Sequence, residues 1–251
     1  MLILRNIGVK LNHGTALGTT ILKNLTLHVK PGEFVVIIGG NGAGKSTLFN
    51  VIAGLLQPTS GKIILDGKDV TKISQHRRSR DIARVVQNTA AGTMANLTIF
   101  ENLALAFLRG KWRKLLPYST TSRAKFFSQK LGTLGIGLEK RIHTVVANLS
   151  GGQRQAISLL MSILAPSKIL LLDEITAALD PLVSNNIMAL ADEIIGTEGR
   201  TTLMITHNMA HAIKYGDKML LLANHTFLRE FSSEEKKSLT PSGLAEIFSE
   251  I

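Results

Sequence analysis

One short stretch constrains this chain more than any other: Gly39-Gly40-Asn41-Gly42-Ala43-Gly44-Lys45-Ser46-Thr47. It follows an apolar run at 34–38 that is typical of a buried parallel strand, and it precedes a segment at 48–53 with a helical pattern. A glycine-rich loop in this position lets backbone N–H groups close around phosphate oxygens at a helix N-terminus. We therefore interpret the stretch as a P-loop that binds a nucleotide.

Two side chains of this loop predict its chemistry. Lys45 is expected to reach the β- and γ-phosphates, and the Ser46 hydroxyl is expected to ligate Mg²⁺. The alternative is a glycine-rich turn that binds nothing. Several glycines, a lysine and a hydroxyl in register between a strand and a helix argue against that alternative.

Length and composition exclude several classes of protein. The chain has 251 residues, 45% of them hydrophobic, which is enough for one large domain or two small ones. No apolar run approaches the roughly 18 residues of a membrane span, and the N-terminus lacks the basic-then-apolar order of a signal peptide. There is no cysteine, so disulfides and thiolate metal sites are excluded, in agreement with a cytosolic location.

Basic residues exceed acidic ones by 29 to 18, a formal charge of +11. Such a surplus is compatible with a nucleic acid, an anionic membrane surface or a solvated basic face. The segment 109–130 contains no acid and includes Trp112 together with a set of basic residues: Arg109, Lys111, Arg113, Lys114, Arg123, Lys125 and Lys130. A contact with anionic lipid and a solvated basic loop are both open interpretations of this segment.

The order of predicted elements indicates an α/β fold. Short alternating strands before residue 30 favour an antiparallel β subdomain, and Asp66-Gly67 is a hairpin signal after a strand at 63–65. Helical periodicity between 97 and 150 predicts a helical subdomain inserted into a mostly parallel core. The remaining predicted elements are strands at 169–172 and 202–206, a hairpin at 219–228, and helices at 156–164, 182–195 and 242–248.

A second glycine-containing motif, Ser150-Gly151-Gly152-Gln153, precedes the helix at 156–164. Ser150 and Gln153 have the spacing of a capping box. Two glycines weaken the first turn of a helix, but they leave its N–H groups approachable by a phosphate. Because one nucleotide cannot easily use both termini of one subunit, we expect two copies to pair head to tail. Each copy would supply the P-loop for one nucleotide and the Ser150 terminus for the other.

With these motifs in this order, the chain resembles the nucleotide-binding subunit of ABC transporters, from about Ile3 to the C-terminus. The resemblance implies a P-loop NTPase fold of the ABC type that binds and hydrolyses ATP with Mg²⁺. It further implies a single ABC ATPase domain at 1–251, with an α/β core at 1–96 and 156–251. The helical subdomain, with the Ser150 motif, would occupy 97–155.

The resemblance also implies roles for individual residues. Asp173, at the tip of a buried strand, would hold Mg²⁺ through water, and Glu174 beside it would act as the general base or position the attacking water. Gln87 would contact Mg²⁺ and that water, and His207 would contact the γ-phosphate. Ala178-Leu179-Asp180 matches the D-loop, which lies near both nucleotides at the dimer interface.

Departures from the family pattern affect several positions. Gly40 and Ile175 each replace a common proline, and Gly40 is expected to be tolerated. The place of the aromatic ring that stacks on adenine is taken by Leu11, Asn12 or His13, so base contact is expected to be weaker. The histidines outside any motif are expected on the surface: His13, His76, His143 and His211.

The resemblance implies an importer in which this chain drives separate permease subunits. The coupling would pass through Gln87, at the boundary with the helical subdomain, and through residues 88–108. The subunit would form a homodimer when ATP is bound, or a heterodimer with a paralogue, at the cytoplasmic face of the inner membrane. A periplasmic or lipoprotein substrate-binding protein would complete the system. The amino-acid sequences at 91–93, 102–106 and 159–169 resemble those of a bacterial amino-acid uptake subgroup of tryptophan or tyrosine type.

Two alternatives remain open. One is the ATPase of an export or lipid-extraction complex. The other is a non-transport ABC ATPase that acts on nucleic acid or ribosomes, for which the +11 charge is the only support. The chain lacks the second ATPase unit and the long insertions typical of that class, so no nucleic-acid partner is expected.

Overall fold

The computed structural model describes residues 1–11, 18–88, 92–109, 120–177 and 179–249. Predictions that concern other residues lie outside these ranges, namely those for Asn12, His13, Ala91, Lys111, Trp112, Arg113, Lys114 and Ala178. The strands are β1 (Leu2–Leu11), β2 (Thr19–Val29), β3 (Phe34–Ile38), β4 (Ser60–Leu65), β5 (Lys68–Asp69), β6 (Ile82–Val85), β7 (Ile169–Asp173), β8 (Thr201–Ile205), β9 (Lys218–Ala223) and β10 (Thr226–Phe231). The helices are α1 (Lys45–Ala53), α2 (Gln75–Arg78), α3 (Ile99–Phe107), α4 (Thr121–Gly132), α5 (Gly151–Leu164), α6 (Pro181–Glu198), α7 (Met209–Lys214), α8 (Ser233–Ser238) and α9 (Pro241–Ser249), with a short 3₁₀ turn at Val146–Asn148.

The N-terminal strands form an antiparallel sheet in the order β2-β1-β4-β5. Its β4–β5 turn has Asp66 and Gly67 in the left-handed region, at φ 48° and 77°. That backbone suits the two-residue hairpin turns in which Asp-Gly is favoured. The predicted antiparallel strands and hairpin are therefore confirmed.

The second sheet has the order β10-β9-β3-β8-β7-β6 and is parallel except for β10. Every residue of β3, β7 and β8 is buried, as expected for strands covered on both faces. Because parallel strands end at the same edge of a sheet, the segments that follow β3, β6, β7 and β8 lie close together. That edge carries most of the predicted site residues.

Two hydrophobic clusters cover the faces of the parallel sheet. On one face, Val35 and Ile37 pack with α1 and the antiparallel sheet. On the other face, Val36 and Leu172 pack with residues of α3 to α6 and of the C-terminal helices. The α/β fold with an antiparallel N-terminal part and inserted helices is thus confirmed. Among the helices that the structure describes, none is both long and apolar enough to cross a bilayer.

Several element boundaries differ from those predicted. The predicted helices at 156–164, 182–195 and 242–248 are longer, as α5, α6 and α9. Helices α2, α7 and α8 were not predicted. For α8 the signal was present in the sequence, because Ser232 and Glu235 form a reciprocal capping box.

Candidate nucleotide-binding and hydrolysis site

The P-loop runs from the end of β3 into α1, with Asn41 and Gly42 exposed and Ala43 half-buried. Gly44 has φ +99°, and a Cβ atom there would lie 2.8 Å from the carbonyl oxygen of Ile21 in β2. A Cβ atom at Gly39 would overlap the carbonyl oxygen of Leu222 in β9. Glycine is therefore required at both ends of the loop, which is held between strands of the two sheets.

Lys45, Ser46 and Thr47 form the first turn of α1. The Lys45 ammonium donates hydrogen bonds to the carbonyl oxygens of Gly39 and Gly40, both at 2.9 Å. Burial lowers the pKa of Lys45, and the nearby Glu174 and Asp173 carboxylates partly offset that shift. The structure thus keeps a buried cation at the loop, in the position predicted to receive phosphate oxygens.

Replacement of the common proline by Gly40 causes no crowding, since no heavy atom lies within 4 Å of a Cβ atom built there. At the end of β1, Leu11 is 42% exposed, so its aliphatic side chain is accessible. Asn12 and His13, the other residues at the predicted adenine position, lie outside the described residues.

Two predicted site residues contact the Glu174 carboxylate, which is itself a predicted site residue. Nε2 of Gln87 donates to Oε2 of Glu174 at 2.8 Å, and Nε2 of His207 lies 2.7 Å from Oε1. Glu174 has a left-handed backbone, φ +48°, which is uncommon for a residue with a side chain. Its N–H donates to the carbonyl oxygen of Ile205 at 3.0 Å, which holds the turn against the end of β8.

Asp173, the last residue of β7, is buried beside this carboxylate. Its Oδ2 atom accepts a hydrogen bond of 2.5 Å from Nη2 of Arg84 in β6. Arg84 was not predicted as a site residue. An arginine inside the apolar run 82–86 was the available signal, because a charged residue in a buried strand requires a partner.

The predicted Mg²⁺ ligands have suitable chemistry. Ser46, Asp173 and Gln87 offer hydroxyl, carboxylate and amide oxygens, the donors that Mg²⁺ prefers. Gln87 uses its amide nitrogen for Glu174, so its oxygen is the atom that remains for a metal. Within the described part of the chain, no group of three or more His, Cys, Asp or Glu residues could hold a metal. A site that also needs phosphate oxygens and water fits this donor set.

The Ser150 terminus has the predicted capping box. The Gln153 N–H donates to Oγ of Ser150 at 3.3 Å, and the Ser150 N–H donates to Oε1 of Gln153 at 3.2 Å. No heavy atom lies within 4 Å of a Cβ atom built on Gly151, so its backbone is approachable. A Cβ atom on Gly152 would lie 2.5 Å from Cγ1 of Val183. Gly152 is therefore also needed for close packing of α5 against α6, a reason that the sequence did not reveal.

Asp180 is the N-cap of α6, with its Oδ1 atom accepting a hydrogen bond of 3.0 Å from the Val183 N–H. This contact gives the D-loop aspartate a structural role in addition to the one that the resemblance implies. The neighbouring Leu182 is 71% exposed, which places a large apolar side chain on the surface beside Asp180.

A cleft of about 470 Å³ extends from Glu174 and His207 to the first turns of α6 and α7. Its wall includes His211, which is only 4% exposed, so the prediction of a surface position for this residue is wrong. Burial, and secondarily the Lys214 charge, lowers the pKa of His211. The spacing from the helix cap at Asn208 places residue 211 on the inward side of α7. The surface position of His76 and His143 is confirmed.

Comparison with known proteins shows three kinds of similarity. The family model described as ABC transporter matches residues 22–177. A tyrosine transport ATP-binding protein of Clostridioides difficile (strain R20291) is 40% identical over 99% of this chain and 98% of that protein. The methionine import ATP-binding protein MetN of Haemophilus influenzae (strain ATCC 51907 / DSM 11121 / KW20 / Rd) is 36% identical over 76% of this chain. The match spans only 53% of that relative's length.

Among solved structures, a similar one is the dimeric ATP-binding cassette MJ0796 in a post-hydrolysis state bound to ADP and Pi. The two structures superpose with a TM-score of 0.80 at 29% sequence identity. The aligned region covers 93% of this chain and 99% of that chain.

Proposed function

This chain belongs to the ABC transporter family as an ATP-binding, ATP-hydrolysing subunit, and from that premise we propose that it powers a bacterial importer of amino acids. The proposed catalytic activity rests on one observation, the contacts of Gln87 and His207 with the Glu174 carboxylate. This arrangement lies at the sheet edge where the P-loop begins. It brings a base, two polar groups that can orient water, and a phosphate-binding loop to one place.

In the proposed reaction, Lys45 exchanges its hydrogen bonds with the loop carbonyls for bonds with the β- and γ-phosphates of ATP. Glu174 takes a proton from a water molecule while the water oxygen bonds to the γ-phosphorus. The bond between that phosphorus and the β–γ bridging oxygen breaks, which gives ADP and phosphate. Gln87 and His207 orient the water and the γ-phosphate, so their bonds to Glu174 must be exchanged as the nucleotide binds.

Ser46, Asp173 and the amide oxygen of Gln87 would hold Mg²⁺. When bound, the ion would neutralise charge on the phosphate oxygens. As the family resemblance implies, Asp173 would act through a metal-bound water. Its Oδ1 atom is the one available for that contact, because Oδ2 accepts a hydrogen bond from Arg84.

The proposed working form is a head-to-tail dimer, either a homodimer or a heterodimer with a paralogue. The Ser150 terminus would complete the site of the partner by directing N–H groups at its γ-phosphate. The open backbone at Gly151 and the exposed Leu182 support this assignment. The dimeric state of the similar MJ0796 cassette also supports it.

The proposed partners are integral membrane permease subunits and a periplasmic or lipoprotein substrate-binding protein. The subunit would lie peripherally at the cytoplasmic face of the inner membrane, with the helical subdomain at 97–155 coupled to the α/β core at 1–96 and 156–251 through Gln87. For the cargo we favour an amino acid of tyrosine or tryptophan type, because the relative that matches over nearly its full length is a tyrosine transport protein.

A pull-down from the native cell tests the proposed function. Tagged protein carrying Glu174→Gln, held in ATP, is expected to recover a polytopic permease and a substrate-binding protein. The same tagged variant without nucleotide is the control for weak contacts. Recovery of ribosomal or DNA-repair proteins without a permease would contradict the transport proposal. The recovered binding protein can then be titrated with tyrosine, tryptophan and methionine, and binding of none of them would contradict the cargo.

A further inference from the structure

Arg84 lies in β6 between Ala83 and Val85, which are both buried, and its own side chain is only 17% exposed. A guanidinium in such a place must have its charge and its N–H groups satisfied by the protein. Arg84 meets this requirement at its two terminal nitrogens, while its buried Nε has no hydrogen-bond partner among the described residues. Nη2 donates to Oδ2 of Asp173 at 2.5 Å, and Nη1 donates to Oδ1 of Asn50 at 2.7 Å.

These contacts join three elements of the nucleotide site. Arg84 belongs to β6, the strand that leads to Gln87. Asp173 ends β7, and Asn50 lies in α1, the helix that follows the P-loop. A planar guanidinium can hold two acceptors in a fixed relative orientation, which a lysine ammonium cannot do as well. The contacts therefore fix the end of β7 relative to α1.

The contact with Asp173 uses one carboxylate oxygen. Arg84 binds Oδ2, so Oδ1 is the oxygen that would face a metal-bound water. The side chain of Asp173 is only 7% exposed, and a carboxylate at this depth requires a nearby cation when no metal is bound. Groups that hold a metal-binding carboxylate commonly determine its orientation and the affinity for the metal.

We propose that Arg84 is a positioning residue for the metal site: it fixes the Asp173 carboxylate through Oδ2 and directs Oδ1 toward Mg²⁺, with Asn50 holding the guanidinium in place. The proposal rests on the role of Asp173 given under the proposed function. It adds two residues, Arg84 and Asn50, to the groups on which metal binding depends.

The test is the affinity of the ADP-bound protein for Mn²⁺, measured by titration as a probe for Mg²⁺. Arg84→Met is expected to weaken Mn²⁺ binding about 10- to 100-fold, the range found when groups that orient metal ligands are removed. Binding of ADP in the presence of EDTA is expected to change less than about twofold, because it does not depend on the orientation of Asp173. Unchanged or tighter Mn²⁺ binding would overturn the proposal, since it would mean that Arg84 does not orient Asp173 for the metal.

Two further variants separate the orienting effect of Arg84 on Asp173 from the effect of its positive charge. Arg84→Lys keeps the charge but cannot hold both acceptors in the same orientation, so it is expected to restore less than half of the lost affinity on a logarithmic scale. Full restoration by lysine would overturn the positioning role. Asn50→Ala leaves the Arg84–Asp173 pair in place and is expected to weaken Mn²⁺ binding by a smaller factor than Arg84→Met. These two milder variants carry the test if Arg84→Met does not fold.

Matched controls distinguish a failure of the proposed function from a failure of the inference about Arg84. Arg200→Met removes another largely buried guanidinium, one that donates to Ser167 and to the Ile163 carbonyl, and it is expected to leave Mn²⁺ affinity unchanged. Asp173→Asn is expected to weaken Mn²⁺ binding directly. If Asp173→Asn has no effect, the metal role in the proposed function fails. If only the Arg84 variants have no effect, the proposed function stands and the present inference fails.

Discussion

Nε2 of His211 lies 3.0 Å from Oδ1 of Asn185, and this contact joins α7 to the N-terminal part of α6. Helix α7 follows His207, and α6 follows the D-loop, so the pair connects two segments that are predicted to act on the γ-phosphate and at the dimer interface. The His211 ring also packs edge-on against Tyr215, with centroids 5.8 Å apart. The buried His211 ring therefore connects the helices that line the cleft beside Glu174.

Removal of the Asn185 amide should destabilise the fold. Asn185→Ala leaves a buried nitrogen of His211 without its acceptor, which is expected to lower the free energy of unfolding by about 1–3 kcal/mol. Urea denaturation measures this change. Asn186→Ala, the next residue of α6 and exposed like Asn185, is the control and should lie within about 0.5 kcal/mol of wild type. Equal effects of the two substitutions would contradict the role of the hydrogen bond.

Acid should destabilise the protein through His211. Its pKa in the folded chain is lowered, mainly by burial, from the ordinary value of 6.5. As the pH falls below 6.5, the unfolded chain therefore takes up a proton that the folded chain does not, and stability is lost. The contribution cannot exceed about 1.4 kcal/mol per pH unit for one group. Melting temperatures of wild type and His211→Phe between pH 7.5 and 5 measure it, and the variant should show the shallower decline.

Lys45→Ala should weaken ATP binding by about tenfold or more, because it removes the buried cation at the P-loop. Titration with a fluorescent ATP analogue measures the affinity. Lys68→Ala, on exposed β5, removes one unit of positive charge elsewhere and should leave the affinity within about twofold. Equal affinity in Lys45→Ala and wild type would refute the assignment of the loop.

Glu174→Gln should preserve ATP binding while hydrolysis falls about 10²- to 10⁴-fold, since glutamine cannot accept the proton from water. With ATP bound and not consumed, the variant should elute as a dimer in size-exclusion chromatography. Glu193→Gln, at an exposed position of α6, is the matched control and should hydrolyse ATP normally. Normal turnover in Glu174→Gln would exclude this residue as the base.

Ser150→Arg should abolish hydrolysis and ATP-dependent dimerisation while the monomer still binds ATP. A bulky cation at this terminus would block the phosphates bound by the partner. The substitution also removes a helix cap, at a cost of about 1 kcal/mol. Ser232→Arg, which removes the equivalent capping box of α8, controls for that cost and should keep full activity. Turnover in Ser150→Arg equal to that in Ser232→Arg would contradict the head-to-tail dimer.

Local pattern was sufficient to predict the P-loop, the buried strand that ends at Asp173 with Glu174 after it, and the capping box at Ser150. Each of these is determined by residues close in sequence, and the parallel sheet then brings the strand ends together. Gln87 and His207 were predicted through family resemblance, and the structure places both against Glu174.

Features that depend on packing between distant elements were not predictable. Arg84 pairs with residues 34 and 89 positions away, so its partners could not be read from its own strand. The burial of His211 results from the approach of α6, and the second reason for glycine at position 152 is the contact with Val183. Such effects require the relative placement of helices that local periodicity does not give.

The position of the P-loop between the two sheets has a mechanical consequence. Gly44 abuts Ile21 of β2, Gly39 abuts Leu222 of β9, and the Lys23 N–H links the same sheets by donating to the His225 carbonyl oxygen at 2.8 Å. The two ends of the loop are therefore packed against different sheets. A change in the angle between the sheets would displace one end of the loop relative to the other, and by reciprocity a bound phosphate would oppose that change.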